Sequence, residues 1–133
     1  MKSMLTIAVL MASLQVWAHV VPGVTDVRVI QHNGKKVELI TNIKGLTLYT
    51  FDPDSTSQSN CYDACAKAWP PVILTDEEAR GAEDDFSVSK RKDGKLQLNF
   101  DGHPLYLYVG DKKAGEMKGD GLGGVWHIAI DEE

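Results

Sequence analysis

Two cysteines are the residues of this chain with the clearest redox chemistry. Cys61 and Cys65 are its only cysteines, and in an oxidising compartment such a pair is more often a disulfide than two thiols. We expect this bridge at a helix start or in a turn, because a fully helical geometry would strain it. A redox-active pair and a metal or haem ligand are the alternatives, although the spacing is not the Cys-x-x-Cys of thiol oxidoreductases.

Four histidines could supply metal chemistry. If a leader peptide ends at residue 18, His19 becomes the N-terminus, where an amine and an imidazole together chelate copper with a further histidine. His103 and His127 are the candidates for that partner, and Met117 would add a soft sulfur ligand for copper or haem. Our primary expectation is that no cofactor is bound. The alternative is copper or haem bound by His19, His103, His127 and Met117.

An aromatic and acidic pattern occurs twice, as LYTFDPD at residues 48–54 and LYLYVGD at residues 105–111. Alternate residues of a strand share a face, so the two rings of each copy lie side by side. They either fill an interface between two halves of the chain or line a groove for a flat ligand such as haem or a quinone. The aspartate of each copy caps a turn, or acts as a metal ligand or acid. Together with a tryptophan that follows each aspartate at the same spacing, the candidate residues are Tyr49, Phe51, Asp54, Trp69, Tyr106, Tyr108, Asp111 and Trp126.

The two copies are separated along the chain by the distance from Leu48 to Leu105, which we call the repeat offset. Residues outside the pattern also match at this offset. Asn42 matches Asn99 and Gly45 matches Gly102 at this same offset. We infer two sequence repeats, at about residues 25–74 and 85–130. Each is too small to bury a hydrophobic face alone, so the two should pack around one core. The predicted fold is mostly β, with antiparallel sheets related by a pseudo-twofold axis and a short helical insertion near the cysteine pair.

Local signals predict the elements that position these residues. Asn-Gly and Asp-Gly pairs between alternating runs indicate two β-hairpins, and Thr75 with Glu78 fits a helix capping box. The predicted elements are hairpins at 25–42 and 85–100, strands at 45–51, 103–109 and 125–130, helices within 61–69 and 76–80, and a glycine-rich loop at 110–124 that packs over the core.

The N-terminus has the features of an export signal. A lysine precedes an apolar run at residues 4–14, and Val16 and Ala18 suit cleavage before His19. We therefore predict a signal peptide at residues 1–18 and a single domain at 19–133 without a transmembrane segment. The mature chain would be soluble in a bacterial periplasm or secreted.

In combination, three motifs of this chain resemble those of a family of predicted secreted bacterial lipoprotein repeats. These are the Tyr-x-[Phe/Trp/Tyr]-x-x-Asp pattern, the Cys-x-x-x-Cys-Ala-x-x-Trp-Pro-Pro segment at residues 61–71, and Gly-x-Trp-His at residues 124–127. The resemblance covers roughly residues 41–130. It implies export and tandem repeats, and it implies no established reaction. The chain departs from the family in having no lipobox cysteine near the predicted cleavage site.

Charge and composition limit which classes of partner and activity fit this chain. The net charge of −5 and the absence of a basic stripe argue against nucleic acid as a partner, which leaves an unknown protein or a small ligand. No catalytic constellation is recognisable, so an enzyme is less expected than a non-catalytic binding or structural module. The alternative is a periplasmic redox or metal- or haem-handling protein that uses the cysteine pair and the histidines.

Overall fold

A computed structural model describes residues 19–132 of the chain. The predicted signal peptide and Glu133 lie outside the described residues. Within them, the strands are β1 (Thr25–His32), β2 (Lys35–Asn42), β3 (Tyr49–Phe51), β4 (Ile73–Leu74), β5 (Phe86–Lys90), β6 (Leu96–Phe100), β7 (His103–Pro104), β8 (Trp126–Ile128) and β9 (Ile130–Asp131), and the helices are α1 (Ala64–Ala68), α2 (Asp76–Ala79) and a 3₁₀ turn at Leu122–Gly124.

Local sequence signals account for the hairpins and the second helix. β1 pairs with β2 through a turn in which both Asn33 and Gly34 have positive φ, as a two-residue type I′ turn requires. β5 pairs with β6 in the same antiparallel manner. The predicted capping box is present. The Thr75 side chain accepts a hydrogen bond from the Glu78 backbone N–H, and the Glu78 side chain accepts one from the Thr75 backbone N–H. The mostly β, antiparallel fold with few, short helices is therefore confirmed.

The two predicted aromatic strands are shorter than expected. β3 covers three residues and β7 covers two, because the run after each tight turn changes hydrogen-bonding partner along its length. Leu48 donates its N–H to Ile40 in β2, the next residue pairs across to Tyr106, and β3 then continues against β8. An alternating pattern reports the faces of a strand and does not report which neighbour each residue pairs with.

Each repeat contributes its last strand to the sheet of the other repeat. β9, from the second repeat, completes the order β1-β2-β9, and β4, from the first, completes β4-β6-β5. Equivalent bonds recur at the repeat offset, since Val72 N–H donates to Leu105 O at 3.0 Å and Ala129 N–H donates to Leu48 O at 2.8 Å. The two repeats are thus interlocked rather than merely adjacent.

A pseudo-twofold axis passes between Tyr49 and Tyr106. The N–H of Tyr49 donates to the carbonyl of Tyr106 at 2.8 Å, and the N–H of Tyr106 donates to the carbonyl of Tyr49 at 3.0 Å. The leucines that precede them, Leu48 and Leu105, are fully buried in one hydrophobic cluster, whereas both tyrosines are fully buried in a second. The predicted alternation of faces therefore separates a mainly aliphatic core, which also holds Phe86 and Phe100, from a core of tyrosine and tryptophan rings.

No helix among residues 19–132 is long and apolar enough to cross a membrane.

Because the last strand of each repeat pairs with the other repeat's hairpin, we predict that neither repeat folds alone. Fragments 19–82 and 83–133 should each give the far-UV circular dichroism of an unfolded chain, and an equimolar mixture should recover the spectrum of the intact protein. A cooperative thermal transition in either isolated fragment would contradict this interlocked arrangement.

Candidate functional site

The tyrosine of each motif copy is hydrogen-bonded to the aspartate of the other copy. Tyr49 OH donates to Asp111 Oδ2 at 2.6 Å, and Tyr106 OH donates to Asp54 Oδ2 at 2.6 Å. Short O–H···O⁻ bonds of this kind are about twice as strong as neutral ones. The motif is therefore a reciprocal clasp between the repeats, which we call the crossed Tyr–Asp pairs.

The second carboxylate oxygen of each aspartate accepts a hydrogen bond from the backbone of the loop that follows it in the same repeat. Asp54 Oδ1 accepts from the backbone N–H of Asn60 at 2.7 Å, and Asp111 Oδ1 accepts from the N–H of Lys118 at 3.0 Å. The turn-capping interpretation of these carboxylates is thus correct for one oxygen of each, and the other oxygen joins the repeats.

Four aromatic rings form a stack across the pseudo-twofold axis. Trp69 and Trp126 lie at its centre, nearly parallel and 3.8 Å apart between ring centroids. Phe51 stacks on Trp126 at 4.1 Å, and Tyr108 stacks on Trp69 at 4.3 Å. Each outer ring comes from the opposite repeat to the tryptophan that it covers, so this stack also fastens the two halves together.

Burial and the carboxylates keep the two clasp tyrosines protonated. Removal from water raises the pKa of Tyr49 and of Tyr106, and the hydrogen bonds to Asp111 and Asp54 raise each further. Burial also raises the pKa of Asp54, against the lowering effect of the bonds it accepts from Tyr106 and Asn60. Both tyrosines consequently act as hydrogen-bond donors across the neutral pH range.

A buried arginine sits behind only one of the two pairs. Arg91 is 4% exposed, and it donates through Nη1 to Gln97 Oε1 at 2.8 Å and to Ser59 Oγ at 3.1 Å, and through Nη2 to the Cys61 carbonyl at 2.9 Å. Ser59 Oγ in turn lies 2.7 Å from Tyr106 OH. This network, which we call the Arg91 network, links one crossed pair to the segment that carries the disulfide.

The sequence interpretation missed Arg91, Ser59 and Gln97. Arg91 stands in a run of basic residues that resembles a solvated hairpin turn, and a serine in a polar loop gives no sign of burial. Tertiary packing brings Ser59, from a distant part of the chain, and Gln97, from β6, to the Arg91 guanidinium, so no local signal could have identified the three.

Cys61 and Cys65 form the predicted disulfide at the start of α1. Cys61 is fully buried beside the aromatic residues, and the carbonyl of Cys65 accepts the N–H of Trp69 at 2.8 Å. The bridge therefore fixes the short helix that ends at one of the two central tryptophans.

The candidate metal-ligating histidines contact different carboxylates. His127 Nε2 lies 2.8 Å from Asp52 Oδ2, and His19 Nδ1 lies 3.4 Å from Asp84 Oδ2. His103 lies in β7, and Met117 is 37% exposed in the glycine-rich loop. Among residues 19–132, no three His, Cys, Asp or Glu side chains are grouped to hold a metal ion. Copper or haem binding at these residues stays a prediction.

The glycine-rich loop lies over the aromatic core, as expected. Gly119 N–H donates to Tyr49 OH at 3.2 Å, and a Cβ at this position would come within 2.6 Å of the Trp69 ring. Glu116 orders the same loop by accepting from the N–H groups of Lys112 and Lys113 and from the Lys118 ammonium. These bonds lower the pKa of Glu116 to about 2, the Lys118 bond most of all.

Comparison with known families agrees with this two-fold arrangement. A family model described as a secreted repeat of unknown function matches residues 30–73 and 87–130. The chain belongs to this family. The two matched segments are themselves related by the repeat offset, so each secreted repeat supplies one tyrosine and one aspartate to the crossed pairs.

No curated protein and no solved structure gives a significant match to this pair of secreted repeats.

The crossed arrangement predicts which residues are energetically coupled. Tyr106→Phe leaves a partly buried carboxylate oxygen of Asp54 without its donor, so we expect the free energy of unfolding to fall by about 1.5–3 kcal/mol. In double-mutant cycles measured by urea denaturation, Tyr106→Phe should couple with Asp54→Ala by at least about 1 kcal/mol. The same change should be additive with Asp111→Ala, although Asp111 belongs to the same motif copy as Tyr106. Coupling within a motif copy rather than across copies would refute the clasp.

A structural disulfide predicts loss of stability without loss of fold. Cys65→Ser should lower the free energy of unfolding by about 2 kcal/mol, at the low end for disulfides because the closed loop is short. Chemical reduction of the wild-type protein is the matched control and should give the same loss. If Cys65→Ser instead left stability unchanged and abolished insulin reduction by the purified protein, the pair would be a redox centre.

Proposed function

We propose that this chain is an exported, non-catalytic module that acts by binding a partner. Export follows the family description of a secreted repeat, and the predicted removal of residues 1–18 and a periplasmic or extracellular destination are part of the proposal. The partner class is a protein or a small ligand, and no cofactor is required.

The single observation that carries the proposal is that the polar groups of the motif are hydrogen-bonded to each other inside the protein. Both clasp tyrosines are fully buried with their hydroxyls donating to aspartates, and Asp111 is 8% exposed. A general acid, base or metal ligand needs a lone pair or proton that a substrate can reach. The tyrosines and aspartates of the motif are instead occupied in joining the repeats.

Recognition is then left to the surfaces on which the two repeats differ. Several large apolar side chains are exposed on loops and strand ends, and the most exposed of these among residues 19–132 is Ile43, at 60%. Val109 at 45% and Leu122 at 40% belong to the other repeat. Single exposed apolar residues are common on any protein, so their role needs a direct test.

Site-specific photo-crosslinking in the native exported compartment tests this proposal. A benzophenone side chain at position 43, 109 or 122 should give a discrete crosslinked product, whereas the same group at the exposed strand residue Lys90 should not. Substrate turnover by the purified protein that is lost on one polar substitution, with the fold retained, would overturn the proposal.

A further inference from the structure

The two repeats pair differently across an equivalent tight turn. In the second repeat, Phe100 pairs with His103 across a two-residue turn, in which Asp101 and Gly102 both have positive φ. In the first repeat, the N–H of Asn42 donates to the carbonyl of Leu46, which leaves a three-residue turn at 43–45. Ile43 therefore belongs to the turn, whereas Phe100, which the repeat offset matches to it, is paired in β6.

The longer turn presents an apolar and a basic side chain on a fixed backbone. Asn42 Oδ1 accepts from the N–H of Lys44 at 3.0 Å and from the N–H of Leu46 at 2.9 Å, and Gly45 N–H donates to the Asn42 carbonyl at 2.9 Å. Ile43 is 60% exposed, and Lys44 is also exposed. A backbone that is already ordered loses little conformational entropy when it binds. We call residues 43–44 the Ile-Lys turn.

The shorter turn borders a groove whose charged lining residues are acidic, whereas the Ile-Lys turn is basic. Two adjoining cavities, of about 550 Å³ and about 230 Å³, share Phe100, Asp101 and Ile130 in their walls. The larger cavity is lined by two apolar residues, Phe100, which is 8% exposed, and Ile130, which is partly exposed. Its other lining residues are acidic: Asp85, Asp101, Asp131 and Glu132. The repeat offset relates Lys44 to Asp101, so equivalent positions on the two sides of the molecule carry opposite charges.

We propose that the groove of one copy receives the Ile-Lys turn of a second copy, head to tail. This inference rests on the proposed binding function and names its partner. Ile43 would cover Phe100 and Ile130, and the Lys44 ammonium would lie among the carboxylates of Asp101 and Glu132. The turn and the groove consist of different residues of each copy, so the contact joins unlike surfaces, and such a heterologous contact builds open chains or rings.

Sedimentation velocity over a range of protein concentrations tests the association. The mature protein should form dimers and longer species as its concentration rises, and about 1 M salt should weaken them, because screening shortens the reach of the charges to about 3 Å. A turn variant, Ile43→Ser with Lys44→Glu, should weaken association at least about tenfold. A groove variant, Asp101→Asn with Glu132→Lys, should do the same, and asparagine tolerates the positive φ at position 101.

Mixing the two variants gives the decisive measurement. The turn variant keeps an intact groove and the groove variant keeps an intact turn, so an equimolar mixture should form a one-to-one heterodimer that does not grow further. Lys90→Glu makes the same charge change on an exposed strand residue and should associate like the wild type. Circular dichroism should show that all variants are folded.

Three results would overturn the head-to-tail contact. These are a wild-type protein that stays monomeric at its highest soluble concentration, variants that associate as the wild type does, or a mixture without a heterodimer. Crosslinking from position 43 to a different protein, with no self-association, would refute this inference and leave the proposed binding function intact. Substrate turnover would instead refute the proposed function.

Discussion

The crossed Tyr–Asp pairs are the interaction on which the rest of this structure depends. Each joins residues that are distant along the chain, and each pair spans the boundary between the repeats. A buried hydroxyl without a partner costs about 1–3 kcal/mol, so Tyr49 and Tyr106 can be buried at the pseudo-twofold axis only if both repeats are in place. The exchange of β4 and β9 and the stacking of Trp69 on Trp126 follow the same reciprocal arrangement.

This arrangement gives the two secreted repeats a symmetric interior and an asymmetric periphery. The aromatic stack and the bonds at the axis recur at equivalent positions. Around them, the first repeat has the disulfide segment, to which Arg91 from the second repeat binds, and the second repeat has the glycine-rich loop that Glu116 orders. The conspicuous motif residues thus explain how the fold is held together, and the unequal loops are where a partner would distinguish one side from the other.

A head-to-tail contact would use this asymmetry directly. A molecule with perfect twofold symmetry presents the same surface twice, whereas in this chain Ile43 lies in its turn while the matched Phe100 is paired in β6, and Lys44 is matched by Asp101. Because Ile43 and Lys44 lie on a turn whose backbone bonds are internal to residues 42–46, that turn can vary while the clasp is preserved. In the proposed contact, recognition would use Ile43 and Lys44, which take no part in the crossed Tyr–Asp pairs.

The sequence alone determined the local features, because these depend on neighbouring residues. The Asn33-Gly34 hairpin, the Thr75 capping box, the cysteine pairing, the alternation of faces at Leu48 and Tyr49, and the repeat offset were all predictable. Only the tertiary structure decided that Tyr49 bonds to Asp111 rather than to the aspartate of its own motif, that the last strands are exchanged, and that Arg91 is buried behind Tyr106. Those outcomes depend on which distant segments meet, and a short-range pattern carries no information about that.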